Sequence, residues 1–556
     1  MSKSFYRWQE LGLLREQRVS TVLIIVLSLL GGLAVYYAMA WGPWAYSDGV
    51  GYIVSTRNMI NGIGLGLVKP SGIFEPLVSH PPLYPLTLAV TNLFTHDLFQ
   101  AGRWLDAASF TLFILVSGLL ILRLTGSGWV ATTSASLLVI TPALLLAFSS
   151  AMAEPLFILF SFTSTLLLLS HFQNPRRPTW LASTLLAGLG IIARYPAASF
   201  LLANLILILV DRSNSLRKRL RSATGYGTIA LAPLAFFWLW SFTVRSAGSP
   251  KALTAQLDLI NKLQIFIRRT AEVVWTWKPI SPEVITIAKR LAGHMESIEI
   301  VAVIFFSLLL ISGLALLGFR SRSDAEIKRD PSGVRQLAVA FTLVIASYVV
   351  FFLVIYFISY PTPDIDTRIL LPVQVASVLL IIVVSQVIIE HWRQFKWVRG
   401  VLGMIMLIFG AGYLVLATDI VTGQHRTGLG YTAKAWRESK TLVAIDDLPP
   451  GTPLISNEPI PIMLYYDMWP DELDVLNPTV PMNTITAFGT GNSRAEVRFR
   501  EGHAVLILFD NFLGQLRSIY GDQADQNQAA FTQGLELIFE GSDGAMYIYS
   551  KGSDAP

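Results

Sequence analysis

The sequence predicts a polytopic α-helical membrane protein with a small C-terminal α/β domain, and three observations carry that reading. Of 556 residues, 53% are hydrophobic and only 14% charged, where a soluble domain carries about 25% charged residues. The mean hydropathy is +0.54. Apolar runs are long up to about residue 420 and short and turn-broken after it. This composition excludes a conventional soluble enzyme, a disordered chain and a nucleic-acid binder. The net charge of +5 conceals a split: residues 1–420 hold 33 Lys+Arg and 20 Asp+Glu, and residues 421–556 hold 9 and 17. A basic body followed by an acidic tail reads as loops at a lipid surface, with no nucleic-acid partner. Cysteine is absent, so disulfides, thiolate nucleophiles and Cys-based metal sites are excluded.

A bilayer core of about 30 Å needs roughly 20 apolar residues in a helix. The body, residues 1–420, is read as about 11 transmembrane helices, near 20–40, 101–123, 128–148, 153–172, 179–193, 196–210, 223–243, 298–319, 336–358, 369–389 and 400–419. Ala38-Met39-Ala40 resembles a cleavage site, but the apolar stretch before it is long for a signal peptide, so the first helix is expected to stay. The segment Pro82 to Phe94 is short and opens on Pro81-Pro82, so it is expected to be an interfacial or re-entrant helix.

Lys and Arg in short loops set orientation. Lys3, Arg7, Arg15 and Arg18 share a side with Arg123, Arg176-Arg177, the Arg217 to Arg221 cluster, the Arg320 to Arg335 cluster, and Arg393, Lys396 and Arg399. These charges expect a multi-pass protein of the inner or plasma membrane with a cytoplasmic N-terminus and an extracytoplasmic tail. The first outer loop then runs over 41–100 and a second over 244–297, the latter holding eight basic residues.

In the tail, residues 421–556, strands are expected at Pro453-Leu-Ile-Ser-Asn, His503 to Asp510 and Leu535 to Glu540. Gly541-Ser-Asp-Gly544 turns the last of these into Ala545 to Ser550. A small extracytoplasmic α/β domain follows.

Candidate chemistry gathers on the outer side. Trp44-Ala-Tyr-Ser-Asp48-Gly-Val-Gly-Tyr52 follows the first span, and Asp48 is either a general base for an attacking hydroxyl or a helix cap. Further on, Glu75, His80 and Tyr84 lie in a stretch with four prolines over residues 76–85, read as a shaped cavity wall or as a rigid connector. Glu154-Pro155 opens the fourth span. An ionisable residue there is a functional candidate, although Pro at the first turn and Glu near the helix N-terminus also suit the backbone. Arg194, in Ala193-Arg-Tyr-Pro196, and Arg368, in Asp364-Ile-Asp366-Thr-Arg368, are placed to bind phosphate in bidentate fashion or to pair with a nearby carboxylate. Arg268-Arg269, Trp275, Trp277, Lys278 and Lys289-Arg290 in the second outer loop suit interfacial anchoring or an anionic headgroup. No Walker lysine loop, His-Glu-x-x-His helix, Gly-x-Ser-x-Gly elbow or Rossmann fingerprint occurs.

Taken in order, Asp48 with Tyr52, Arg57-Asn58, Gly62-x-Gly64, His80-Pro-Pro-Leu-Tyr84-Pro-Leu, Glu154-Pro-Leu-Phe, Arg194-Tyr-Pro and Asp366-Thr-Arg-Ile-Leu-Leu-Pro resemble the GT-C fold membrane glycosyltransferases. The likeness is to the protein mannosyltransferase and aminoarabinose transferase relatives, the RgtA/B/C/D-like group included, and runs over residues 20 to about 390. Ile455-Ser-Asn457-Glu-Pro and Tyr465-Tyr466 are similar to the outer domain of bacterial members.

The resemblance implies inverting transfer of a sugar from a polyprenyl-phosphate donor to an acceptor hydroxyl on lipid, glycan or protein at the extracytoplasmic face. It implies Asp48 as base and Glu154 or Glu75 as a second carboxylate. Arg368 and Arg194 would hold the donor phosphate, and Tyr52, His80 and Tyr84 would line the pocket. Relatives often carry Asp-Glu where this chain has Asp48-Gly49. Some bind a divalent metal, for which Asp48, Glu154 and His80 are ligands of suitable type. The alternatives are a non-catalytic transporter or flippase, or a relative that only binds glycan.

Overall fold

The computed structural model describes residues 2–69, 72–78, 80–211, 213–244, 259–278, 331–359, 362–392, 394–473 and 493–549. The chain forms two compact units, one of Met1–Ala40 with Val78–His425, the other of Trp41–Leu77 with Arg426–Pro556. This division differs from a single cut near 420, because the segment 41–100 is shared between the units: residues 41–77 fold with the tail and the rest with the helical body.

In the helical unit, seven described helices are long and apolar enough to cross a membrane: Glu16–Ala38, Leu98–Thr125, Glu154–Gln173, Leu216–Val244, Gly333–Ile358, Thr367–His391 and Lys396–Thr427. The polytopic helical class read from the sequence is what the structure shows, with differences of detail. The expected span at 128–148 is two helices, Gly128–Val139 and Pro142–Phe148, bent by 62°. Pro142 has no amide hydrogen for a continuing helix, so the break falls just before it. The segments at 179–193 and 196–210 are the helices Arg177–Ala193, of 17 residues, and Ala198–Val210, of 13 residues, the second shorter than a perpendicular crossing needs. The expected span at 298–319 and the Lys289-Arg290 pair lie outside the described residues. The Pro82 to Phe94 segment is the 13-residue helix Leu83–Thr95, about 20 Å long and too short to span.

Small and hydroxyl-bearing residues let these helices approach. A Cβ on Gly32 would fall within contact distance of Thr111 on the Leu98–Thr125 helix, so only glycine permits the approach of the first helix. Deeper in the unit, the Tyr226 hydroxyl lies 2.9 Å from Ser164 Oγ and 2.8 Å from Ser183 Oγ, and accepts from Asn204 Nδ2 at 3.1 Å. Four helices share this one buried node. Interhelical hydrogen bonds of this kind supply the cohesion that the hydrophobic effect does not supply between helices in lipid.

In the second unit, β1 (Gly66–Val68) and β2 (Phe74–Pro76) form an antiparallel pair beside the helix Ser47–Ile60. A five-stranded sheet has the order β4-β3-β5-β7-β6, built from β3 (Leu454–Ser456), β4 (Asp471–Glu472), β5 (Val505–Phe509), β6 (Leu535–Gly541) and β7 (Gly544–Tyr549). β3 is parallel to β4 and β5, while β7 is antiparallel to β5 and β6. β5 reads Val-Leu-Ile-Leu-Phe and is buried along its whole length. Val505, Ile507 and Phe509 pack on one side with Leu454 and Ile462. Leu506 and Leu508 pack on the other with Phe512 and Phe531. A continuous apolar strand requires cover on both faces.

Replacing Tyr226 with Phe removes the shared hydroxyl. The expected cost is about 1 kcal/mol, seen as a lower thermal midpoint in detergent with unchanged helical circular dichroism; an unchanged midpoint would show that the node contributes no stability.

Candidate functional site

Four charged residues of the helical unit gather at helix ends. Glu154 begins the Glu154–Gln173 helix, where the unpaired amides of the first turn favour a carboxylate. Its side chain is only 4% exposed and its Oε1 accepts from Arg194 Nη1 at 2.5 Å. Arg194 ends the Arg177–Ala193 helix in extended backbone conformation, φ −156° and ψ 132°, and Pro196 two residues on keeps the connection short. The sequence offered Arg194 a phosphate or a carboxylate, and the structure pairs it with Glu154. Tyr348, fully buried, lies within electrostatic reach of Arg194, Glu154 and Asp366, and its hydroxyl donates to Ile369 O at 2.6 Å. Asp366 caps the Thr367–His391 helix by accepting from Ile369 N at 2.8 Å, and also accepts from Arg368 Nε at 2.9 Å. Glu154, Arg194, Asp366 and Arg368 therefore belong to one cluster. Arg368 is about a third exposed, and only its Nε is engaged among the described residues, which leaves the outer edge of the guanidinium for an anion.

A second buried carboxylate escaped the sequence reading. Asp106 lies inside the Leu98–Thr125 helix at 0% exposure; its Oδ2 accepts from the buried Tyr84 hydroxyl at 3.4 Å, and Oδ1 has no partner among the described residues. A carboxylate inside a span is a functional candidate by default. The available signal was an aspartate inside the run 101–123, hidden by averaging hydropathy over the whole run. Tyr84 is placed here with Asp106. His80 is half-buried just ahead of the same short helix.

In the second unit, Asp48 sits exposed in the first turn of the Ser47–Ile60 helix. The cap position is Tyr46 and no side chain caps there, so helix capping does not use Asp48, and its carboxylate has no partner among the described residues. The turn before it is pinned from the tail: Tyr431 N donates to Ala45 O at 2.8 Å and Thr432 Oγ1 to Pro43 O at 2.9 Å. Gly430, at φ +63°, bridges to Ala45, and a Cβ there would stand 2.3 Å from Ala45 O. Tyr52, one turn after Asp48, is buried. Arg57 donates to Leu464 O at 2.6 Å and pairs with Asp467 at 3.5 Å. Glu75 is exposed on β2 and pairs with Lys69 at 2.8 Å.

The tail motif Asn457-Glu458 holds this unit together. Asn457 Oδ1 accepts from Phe509 N at 2.9 Å and its Nδ2 donates to Asn511 Oδ1 at 2.9 Å. Glu458 accepts from the Tyr431 hydroxyl at 2.9 Å, from Gln515 Nε2 at 3.0 Å and from Asn511 Nδ2. Burial, with Glu458 close by, raises the Tyr431 phenol above its ordinary value.

Of the side chains expected as ligands for a divalent cation, Glu154 is committed elsewhere. Glu154 is engaged by Arg194, Glu75 by Lys69, and among the described residues no three His, Asp or Glu side chains are grouped to hold an ion.

The dolichyl-phosphate-mannose-protein mannosyltransferase family profile matches residues 79–240, which hold His80, Tyr84, Asp106, Glu154 and Arg194. The likeness to protein mannosyltransferases drawn from the sequence is borne out over that segment. No curated protein matches the chain by sequence. Among solved structures, the chain is similar to ArnT from Cupriavidus metallidurans bound to undecaprenyl phosphate, at 16% identity over 96% of this chain and 99% of that one, TM-score 0.47. It is also similar to the archaeal oligosaccharyltransferase AglB from Archaeoglobus fulgidus in complex with an inhibitory peptide and a dolichol-phosphate, at 12% identity over 96% of this chain and 75% of that one, TM-score 0.49.

Arg194→Ala is expected to destabilise the helical unit by about 3–5 kcal/mol, because it leaves the Glu154 carboxylate buried and unpaired; a thermal midpoint within error of wild type would disprove the pairing. Asn457→Ala leaves the Phe509 amide unsatisfied and is expected to cost about 1–3 kcal/mol, read as earlier proteolysis of the tail; wild-type resistance would remove that role.

Proposed function

We propose that this chain is a membrane glycosyltransferase that moves a sugar from a polyprenyl-phosphate donor to an acceptor hydroxyl on lipid, glycan or protein, at the extracytoplasmic face and with inversion. The observation that carries the reading is the mannosyltransferase-family match over residues 79–240, the segment that holds the buried Glu154–Arg194 pair. Transfer breaks the bond between the anomeric carbon and the phosphate oxygen as that carbon bonds to the acceptor oxygen. The acceptor proton passes to Asp48, whose exposed and unengaged carboxylate suits a base. The lipid monophosphate leaves with its charge met by the outer edge of Arg368 and by Arg194, the latter oriented by Glu154. Tyr52, His80 and Tyr84 are the candidates for substrate contact in this reading, and Glu75, held by Lys69, is the lesser candidate for a second carboxylate than the buried Glu154 and Asp106.

Transport is the second reading, favoured by Asp106 inside a span and by the bent pair at residues 128–148. A transporter's broken helices come in matched halves, and among the described residues this bend is single. The family match favours transfer.

The deciding experiment is sugar transfer by purified protein with a panel of labelled polyprenyl-phosphate sugars. Wild type is expected to transfer or hydrolyse one donor, and Asp48→Asn to lose at least about a hundredfold, the contribution of a general base. Full activity in Asp48→Asn would move the base elsewhere, and no turnover with any donor by folded protein would contradict the reading. Because the chain has no cysteine, introduced thiols report orientation cleanly. Ser518→Cys is expected to react with an impermeant maleimide on intact cells and Ser4→Cys only after lysis; the reverse pattern would invert the topology.

A further inference from the structure

A cavity of about 400 Å³ lies within the helical unit, among the Leu259–Thr276 helix with the two residues after it, the Thr367–His391 helix and the Lys396–Thr427 helix. Its volume falls in the range of small-molecule sites, and its walls are ordered by polarity. On one helix Gln374 and Ser377 are followed by Ile381 and Ile382, one face descending about 12 Å. On another, Tyr413 precedes Phe409, Met406 and Ile405 in the same sense.

The polar ends meet. The Tyr413 hydroxyl donates to Trp277 O at 2.7 Å, and Gln374 Nε2 reaches the Tyr413 hydroxyl at 3.5 Å. Lys278 stands beside them, its ammonium against the Trp275 ring. It is the one charged residue of the lining, and burial lowers it to about 8. Among the buried polar atoms of the lining, Trp275 Nε1, Gln374 Oε1 and Ser377 Oγ have no partner among the described residues. Orphaned buried polar atoms of this sort cost free energy unless a ligand or solvent meets them. At the apolar end Ile381, Ile405 and Phe409 are 36%, 44% and 45% exposed, so this wall opens on the side where a spanning helix meets lipid.

We infer that this cavity is a binding site for an anionic bilayer phospholipid, with the phosphate at Lys278 and the Trp275 indole and one acyl chain along Ile381, Ile405 and Met406. The observations match that occupant at each end. A lone cation and an indole N–H face phosphate oxygens, an unpartnered amide oxygen and hydroxyl can meet the hydroxyls of a glycerol headgroup, and a hydrocarbon wall open to the bilayer admits a chain from the lipid around it. A bound phospholipid would tie the Leu259–Thr276 helix to the spanning helices. The site is separate from the arginines assigned to the donor, and the inference does not depend on sugar transfer.

The test is photolabelling of the full-length protein in nanodiscs whose phospholipids carry a diazirine in one acyl chain, with phosphatidylglycerol compared against phosphatidylcholine. Phosphatidylglycerol adducts are expected on peptides covering 271–278 and 374–382, roughly tenfold above phosphatidylcholine, the factor of one charge-assisted hydrogen bond. Lys278→Met is expected to remove that preference and Lys278→Arg to keep it, both with wild-type gel-filtration profiles. Ser377→Phe, which fills the cavity, is expected to remove the 374–382 adducts. Equal labelling by the two lipids, a preference that survives Lys278→Met, or displacement by equimolar polyprenyl phosphate would each overturn the proposal.

Discussion

The helical unit is organised around one costly contact, the ion pair between Glu154 and Arg194. A carboxylate with 4% exposure at a helix end is tolerable only with a partner, and the partner comes from the next connection, Arg194-Tyr-Pro196. That requirement fixes how the Glu154–Gln173 and Arg177–Ala193 helices return on each other. It also draws Tyr348 and Asp366 to the same end, since both lie in the field of the pair. Buried ion pairs seldom repay their desolvation as stability. In the proposed transfer, the arginine oriented by this pair meets the charge of the phosphate leaving group.

Much of this was legible in the sequence because it depends on local regularities. Runs of about 20 apolar residues and the alternation of basic loops identify a polytopic body. Val505–Phe509 reads as a strand buried on both faces, and Glu154-Pro155 as a helix start. Three features were not legible. The bend before Pro142 disappears when hydropathy is averaged over 128–148. Asp106 is masked by its apolar neighbours. The joining of residues 41–77 to the tail combines a backbone bridge, Ala45 with Gly430, and a single ion pair, Arg57 with Asp467, across about 400 residues of sequence, with no local regularity to announce it. Arg194 was a different kind of ambiguity: a guanidinium at a helix end serves phosphate or carboxylate equally, and only the fold shows that Glu154 is within reach.

The second unit shows how a small sheet positions a loop. Asn457 and Glu458 collect bonds from β5, from the Asn511–Tyr520 helix and from Tyr431. Tyr431 in turn holds Ala45, three residues before Asp48. The turn before Asp48 is thus hydrogen-bonded, through Tyr431 and Thr432, to the segment that leads into the sheet. The acidic tail is a brace for the first-loop helix as well as an appended domain.

The most direct measurement is a double replacement of the ion pair, Glu154→Leu with Arg194→Met, compared with either change alone. Replacing both charged partners by apolar groups of similar volume is close to neutral for stability, while removing one is not. If the pair is retained for chemistry, the double variant regains the thermal midpoint lost in the single Arg194→Met variant and transfers no sugar. Wild-type transfer by the stable double variant would contradict that role and reduce the pair to a packing element.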